Sequence, residues 1–485
     1  LRRRFATKTS PLIASPPSLD LRVFQGRIDE SDREDRAISA NLLNAGQVVV
    51  ACPDARPPAY QAAIGLALAG QLDRLVTGFY YRGHGPLSEL ARQLLPCQYA
   101  AIRKKLGRRH ERKIPADRVE SAWSFDAAVA AESRLASRWP AAQHALARFR
   151  TIRFDRIVAR AIRRRQPGAA LVFSDVGTDH ALPACKKLGI PSILSMVHGD
   201  VREEKAVLER EAAESPEFFP IYLGDGRLDL EALDWLHERR LRDIERADRI
   251  LVPSDHIAET LVRYGTPGER ISVIPYAADT RRFVPLPEKR PGRSCTFLFA
   301  GGVTQRKGIK YLLEAWRMIR RPGWKLQLLG PLPSNLGPLT DYLDEVEHLG
   351  RVGHSEMPAK MASADVFVFP SLFEGSAVVT YEALACGLPS VVTPESGSVV
   401  RDGFDGLIVP SRNVESLAQA MERLGTDPEL RACMARSARE RAEAFGWPRY
   451  HSALLGVLEE MQISGSIEPG RTDPTATVGT SARIR

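Results

Sequence analysis

No run of apolar residues approaches the ~18 that a helix needs to cross a bilayer, so no membrane-spanning helix is expected. The stretch Leu1–Asp20, LRRRFATKTSPLIASPPSLD, is basic and rich in Ser and Pro but has no apolar core, so a flexible tail is expected rather than a signal peptide. The six cysteines, Cys52, Cys97, Cys185, Cys295, Cys386 and Cys433, form no Cys-x-x-Cys pair, which argues against structural zinc and suits a reducing cytosol. Neither Gly-x-Gly-x-x-Gly nor the Gly-Lys-Ser/Thr ending of a P-loop occurs, so dehydrogenase and P-loop NTPase readings lose their motif. Asp-x-Asp is also missing. No repeat of solenoid period is present, which removes array architectures.

What the chain has is length and positive charge. Its 485 residues exceed what one hydrophobic core supports, so two domains are expected. The net charge of +9 gathers in Arg103–Lys113, RKKLGRRHERK, and in Arg148–Arg165, where Phe149, Ile152, Phe154, Ile157 and Val158 alternate with arginines. The second stretch reads as a surface helix packed by its apolar face, or as a basic amphipathic helix on an anionic membrane. Nucleic acid is not expected, because no recognition motif accompanies the charge.

Strand and helix patterns alternate along most of the chain. Val48–Cys52, Leu75–Tyr80, Ala170–Ser174, Pro191–Val197, Arg249–Ser254 and Ile271–Asp279 read as strands, with helices between them as in parallel crossover units. Residues 83–165 read as helical and basic. Glu203–Pro220 and Leu228–Arg246 read as helices, the second with an apolar stripe of Leu230, Leu233, Trp235, Leu236 and Leu241. Thr280–Arg293 is linker-like, rich in Pro and Arg. A second series then opens with Thr296–Ala300 and the loop Gly301–Gly308, GGVTQRKG, in which Arg306 and Lys307 precede a helix. Such a loop suits an anion.

Ser371–Pro389, SLFEGSAVVTYEALACGLP, organises the rest. The buried strand Asp365–Pro370 runs into a loop carrying Glu374; Ser376 is expected to cap a helix over Ala377–Ala385 that contains Glu382, and Gly387 and Pro389 stop it. The loop lies at a carboxyl strand end, beside helix N–H groups that favour a diphosphate, and Glu382 could accept two hydroxyl hydrogen bonds from a ribose.

This stretch resembles the Glu-x7-Glu signature of family 4 (group 1) glycosyltransferases. The resemblance covers residues 46–460 and is densest over 295–425. It implies an α/β fold of two facing Rossmann-like domains, the GT-B type, with a nucleotide-sugar site in the cleft. It further implies that Glu374 contacts the transferred sugar, that Glu382 holds the ribose, and that Lys307 with Arg306 grips the diphosphate. Gly302 stands where many members carry a second basic residue, and Gly375-Ser376-Ala377 where many have Gly-aromatic-Gly. Ser376 and Ala377 border the phosphates, and His198, after the strand Pro191–Val197, takes the place of a functional histidine. Arg351–His354 has the position of the base-contacting turn, and Pro275–Asp279 that of an element preceding the hinge, with Ala for Gly.

The implied organisation is a tail over 1–45, an acceptor domain over 46–280, a linker over 281–294, a nucleotide domain over 295–446, a helix returning to the first domain over 447–462, and a disordered tail over 463–485. The implied reaction is retaining transfer of a hexosyl or pentosyl unit, without a metal, from a UDP- or GDP-sugar to a glycan, polysaccharide precursor or lipid-linked acceptor. It would take place in the cytoplasm, either free or at the inner membrane face. A non-catalytic binding or scaffold protein and a sugar-nucleotide epimerase on the same fold remain as alternatives.

Overall fold

The computed structural model describes residues 47–54, 57–81, 109–135, 140–224, 230–286, 294–353 and 355–466. The first tail, most of Arg103–Lys113, His354, half of the linker and residues 467–485 lie outside the described residues, whereas 463–466, expected as disordered tail, continue the last helix to Ser466. The first part of the chain runs β1 (Val48–Ala51), α1 (Pro57–Leu68), β2 (Leu72–Thr77), β3 (Val119–Ser121), α2 (Trp123–Leu135), α3 (Pro140–Arg165), β4 (Ala169–Phe173), α4 (Ala181–Leu188), β5 (Ser192–Ser195), α5 (Val201–Glu214), α6 (Leu230–Arg246), β6 (Arg249–Val252), α7 (Asp255–Arg263) and β7 (Ile271–Val273). The second runs β8 (Cys295–Ala300), α8 (Ile309–Ile319), β9 (Trp324–Leu329), β10 (Glu347–Gly350), α9 (Met357–Ala362), β11 (Val366–Phe369), α10 (Val378–Ala385), β12 (Ser390–Val392), β13 (Gly406–Ile408), α11 (Val414–Thr426), α12 (Pro428–Ala444) and α13 (Trp447–Ser466).

Two parallel sheets result, one ordered β3-β2-β1-β4-β5-β6-β7 and the other β10-β9-β8-β11-β12-β13. The fold is therefore the expected α/β pair of Rossmann-like domains. The central strands VVVA, AALVF and VFVF are buried along their whole length, because helices cover both faces of a parallel sheet. Phe299 and Phe367 each stack on Phe369 with ring centres 5.9 Å apart, filling the second core. In each sheet the strand order reverses at the middle, between β1 and β4 and between β8 and β11. Loops leaving the carboxyl ends of such a pair diverge and open a crevice.

Three readings need correction. The stretch 83–165 is not all helical: β3, with the polar sequence VES, pairs with β2 at the sheet edge, where no apolar run is required. The helix expected over Glu203–Pro220 ends at Glu214. On α6 the inward face is not a leucine stripe. Leu241 is 36% exposed, whereas His237, Arg239 and Asp243 are buried. The reason is an acidic cluster beneath it: Asp155 on α3 accepts the amides of Asp179, His180 and Ala181 at the start of α4, and Arg239 pairs with Asp155 and Asp179. A buried carboxylate in that position needs a buried cation.

The last helix packs on the first. The His451 ring of α13 covers Gly65 of α1, and its Nε2 lies 3.0 Å from Gln61 Oε1. At the linker, Arg439 of α12 donates to the carbonyls of Thr280, Phe283 and Ala385.

Candidate active site

The crevice between β8 and β11 brings the loop Gly301–Gly308 against the loop Pro370–Ala377. The Arg306 carbonyl accepts from the Leu372 amide at 2.9 Å and from Ser371 Oγ at 3.2 Å, so the two loops are tied through the backbone. Lys307 Nζ donates to Glu374 Oε1 in a short ion pair, and an Arg306 guanidinium nitrogen stands 3.7 Å from the same oxygen. Ser371 Oγ lies 3.3 Å away on a third side, and the Lys307 ammonium sits 5.1 Å from the centre of the Phe369 ring. Burial alone would raise the Glu374 carboxyl; the charges of Lys307 and Arg306 outweigh it and hold the group below its ordinary range. Burial, with Arg306 close by, draws the Lys307 ammonium down, and only Glu374 opposes this. The structure thus gathers Arg306, Lys307 and Glu374 at one point. Gly302 lies in the same loop, and a Cβ there would make ordinary contact, 3.5 Å from Thr304 Cγ2, so space does not forbid a basic side chain.

At the helix start the structure differs from the sequence reading. Ser376 does not cap α10: its hydroxyl donates to the Gly397 carbonyl at 2.7 Å and meets Tyr381 Oη at 3.1 Å. The cap position is Ala377, and its amide is already bound to the Ser396 carbonyl at 3.0 Å. An inward Tyr381 hydroxyl and a loop running under the helix compete for these groups. Among the described residues, the amides of Val378 and Val379, in the first helical turn, meet no backbone acceptor outside the helix. Glu382 lies farther along α10, half-buried, and its carboxylate accepts no hydrogen bond from a described residue. Burial pushes it up to about 7, with the charge of Arg282 opposing only in part.

The first domain closes on this loop. A Cβ at Gly375 would fall 2.2 Å from the Val197 carbonyl oxygen and 2.9 Å from the His198 amide nitrogen, so no larger residue fits between the domains there. Gly199 packs equally tightly on the Phe373 ring, and Ser254 Oγ donates to the Gly375 carbonyl at 2.9 Å. His198 is thereby set beside the Glu374 loop through its backbone. Its imidazole points into a charged group that the sequence reading missed. Nδ1 contacts its neighbour's Gly199 carbonyl at 3.0 Å, and Nε2 stands 3.6 Å from Asp175 Oδ1. Asp175 follows β4 with φ of 78°, and Arg240 grips it with two bonds of 2.7 and 3.2 Å. Arg240 and His237 both reach Glu204 at 3.3 Å. Burial acts to raise Asp175, but Arg240 and His198 hold it well below the carboxylate range. The only sequence signal was an Asp just past a buried strand, with partners 23 and 65 residues away. Ser174 Oγ and His198 Nε2 are buried there without a hydrogen-bond partner among the described residues.

The chain is similar to known proteins both in sequence and in fold. A D-inositol 3-phosphate glycosyltransferase of Saccharomonospora viridis is 31% identical over 243 residues, 45% of this chain and 56% of that one. The Escherichia coli protein WcaL, named as a colanic acid biosynthesis glycosyltransferase, is 33% identical over 216 residues, 41% of this chain and 53% of its own. The chain thus spans little more than half the length of these curated relatives. In fold it is similar to sucrose-phosphate synthase of Thermosynechococcus elongatus, with a TM-score of 0.57 and 19% identity over 86% of this chain and 100% of that one. It is also similar to Anabaena HepE in complex with UDP and glucose, with a TM-score of 0.53 and 14% identity over 86% and 100% of the two chains. These likenesses establish the architecture. Residues 294–427 match the model of group 1 glycosyl transferases and residues 121–282 that of glycosyltransferase family 4, so the chain belongs to the group 1, family 4 glycosyltransferases.

Proposed function

We propose that the chain transfers a sugar from a nucleotide sugar to a glycan, polysaccharide-precursor or lipid-linked acceptor, with retention of configuration and without a metal. The observation that carries this reading is the convergence of Lys307, Arg306 and Glu374 at the crevice of the second sheet. Departure of a nucleoside diphosphate builds negative charge, and fixed cations with free amides stabilise it where a divalent ion otherwise would. Lys307, Arg306 and the amides of Val378 and Val379 take that role. Ser376 and Ala377 serve as the wall beneath them, because their own groups are already bonded. Glu374 orients the sugar and Glu382 the ribose. The acceptor enters from the first domain, where His198, set beside the Glu374 loop, orients it. In the retaining route the acceptor attacks from the face the diphosphate leaves, so no enzyme nucleophile is needed.

The test is a thermal shift with UDP, GDP, ADP and CMP and their common sugars, followed by transfer assays with the nucleotide that binds. UDP comes first, since HepE of the same fold is described with it. One nucleotide is expected to stabilise the native protein, and its sugar to be transferred to an acceptor. Stabilisation by none of them would favour the non-catalytic alternative.

The arginine-rich α3 supports association with an anionic membrane. Phe154, Val158 and Ile162 are buried against the sheet, while Phe149 is 56% exposed. Arg156, Arg160, Arg163, Arg164 and His180 line a cleft of about 530 Å³. Of these, Arg164 is paired to Glu120 at 2.6 Å, whereas Arg156, Arg160 and Arg163 meet no carboxylate among the described residues. Native protein is expected to co-sediment with phosphatidylglycerol vesicles and not with phosphatidylcholine ones. The triple change of Arg156, Arg160 and Arg163 to Glu is expected to abolish that preference without lowering transfer to a soluble acceptor. Equal sedimentation with both vesicles would end the idea.

A further inference from the structure

The last turn of α5, in the first domain, carries Glu211, which is fully buried although, among the described residues, its side chain's hydrogen-bond partners all lie in the second domain. Its carboxylate accepts from Gln305 Nε2 at 2.5 Å, from Tyr311 Oη at 3.0 Å and from Arg412 Nε at 2.9 Å. Gln305 immediately precedes Arg306 and Lys307, and its own oxygen accepts the Lys310 amide at 3.2 Å, which fixes the start of α8. The Arg306 amide itself crosses to the first domain, donating to the Tyr222 carbonyl at 3.2 Å. On the other side Arg412 adopts φ of 62°, a costly conformation for a side-chain-bearing residue, and so directs its guanidinium at Glu211. Its neighbour Ser411 donates to Glu395 at 2.6 Å, in the segment that runs under α10.

Such a carboxylate has no other described partner. Three donors converge on it, two of them on one oxygen, so the bonds set a distance and an angle rather than merely attract. A buried charge also penalises any arrangement in which its partners leave it. Adhesion alone would not need Gln305, whose buried side chain links the contact directly to the loop that holds Arg306 and Lys307.

We infer that Glu211 is a positioning residue acting across the domain boundary: by holding Gln305, Tyr311 and Arg412 it sets the loop of Arg306 and Lys307 where these cations meet the departing diphosphate. The inference rests on the phosphate-binding reading of that loop. It makes stabilisation of the leaving group conditional on contact between the two domains.

The experiment compares native protein with Glu211→Gln and with the milder Tyr311→Phe, which removes one bond of the three. Three quantities are read: kcat and KM for the nucleotide sugar, Kd for the corresponding nucleoside diphosphate, and hydrogen exchange of the Arg306 amide. Glu211→Gln is expected to lower kcat roughly 10²-fold, the scale of a small displacement of catalytic groups, with Kd within about threefold of native. Arg306 exchange is expected to quicken, and Tyr311→Phe to shift both quantities in the same direction by less. Native kcat with native Arg306 exchange, whatever happens to the melting temperature, would overturn the proposal and leave Glu211 as a structural contact. If the native protein binds no nucleotide, the functional reading falls instead. The exchange comparison then still decides whether Glu211 holds the loop, and unchanged exchange overturns it.

Discussion

Replacing Glu382 with Gln is expected to raise the melting temperature of the ligand-free protein at pH 8 while removing its stabilisation by nucleotide. The two effects have opposite signs because the same burial causes both. The folded carboxyl titrates near 7, whereas an unfolded one does so near its ordinary value of about 4.3. Below the lower value both states are protonated and Glu382 contributes nothing. Between the two the folded state holds the extra proton, so stability falls as pH rises; above 7 the full penalty remains. Gln imitates the protonated acid and escapes that penalty, on the order of 3–4 kcal/mol at pH 8 and well under ~1 kcal/mol at pH 4.5. A bound ribose would supply the missing hydrogen-bond donors to the carboxylate, which an amide cannot accept in the same pattern. Melting curves at pH 5 and pH 8, with and without nucleotide, read both. A variant less stable than native at pH 8 would show the carboxylate to be solvated. A variant that still responds to nucleotide as native does would remove Glu382 from the ribose site.

Lys307→Met is expected to cut kcat by about 10²–10³-fold, the range for losing one contact to a developing anion. The methionine keeps the volume over the Phe369 ring, so packing should survive. It also exposes a second effect that distinguishes charge from shape. Burial acts to raise Glu374, and Lys307 is the main charge opposing it. With the ammonium gone the carboxyl rises, and the acid limb of the pH–rate profile should move to higher pH. Arg306, 3.7 Å from the same oxygen, limits that movement without cancelling it. A loss under tenfold with an unmoved acid limb would show that the cation at 307 serves folding rather than transfer.

Legibility followed the strength of local pattern. Strands such as Cys295–Ala300 and Val366–Phe369 were readable because burial on both faces leaves an uninterrupted apolar run. The positions of Glu374 and Lys307 were readable because each sits in a loop between such a strand and a helix, and the structure brings the two loops together. β3 was not, since an edge strand needs no apolar run. The role of Ser376 was misread: Ser before a helix ordinarily caps it, and only the packing of Gly397 and Tyr381 shows the hydroxyl to be engaged. Asp175, Arg240 and Glu211 left little local trace, for their partners lie 23 to 201 residues away in sequence. A buried arginine such as Arg239 is indistinguishable in sequence from the exposed arginines around it.

The return of α13 to α1 has a mechanical consequence. The polypeptide passes between the domains twice, once after Asp279 and once before Trp447, and Arg439 clasps the first crossing from the helix that leads into the second. One strand of chain would act as a swivel, free to bend and to twist. Two side by side act as a door hinge: they yield in one direction and resist rotation about the long axis. Any movement of the first domain against the second would therefore be confined to one direction, and closing would bring Gly375 back against Val197.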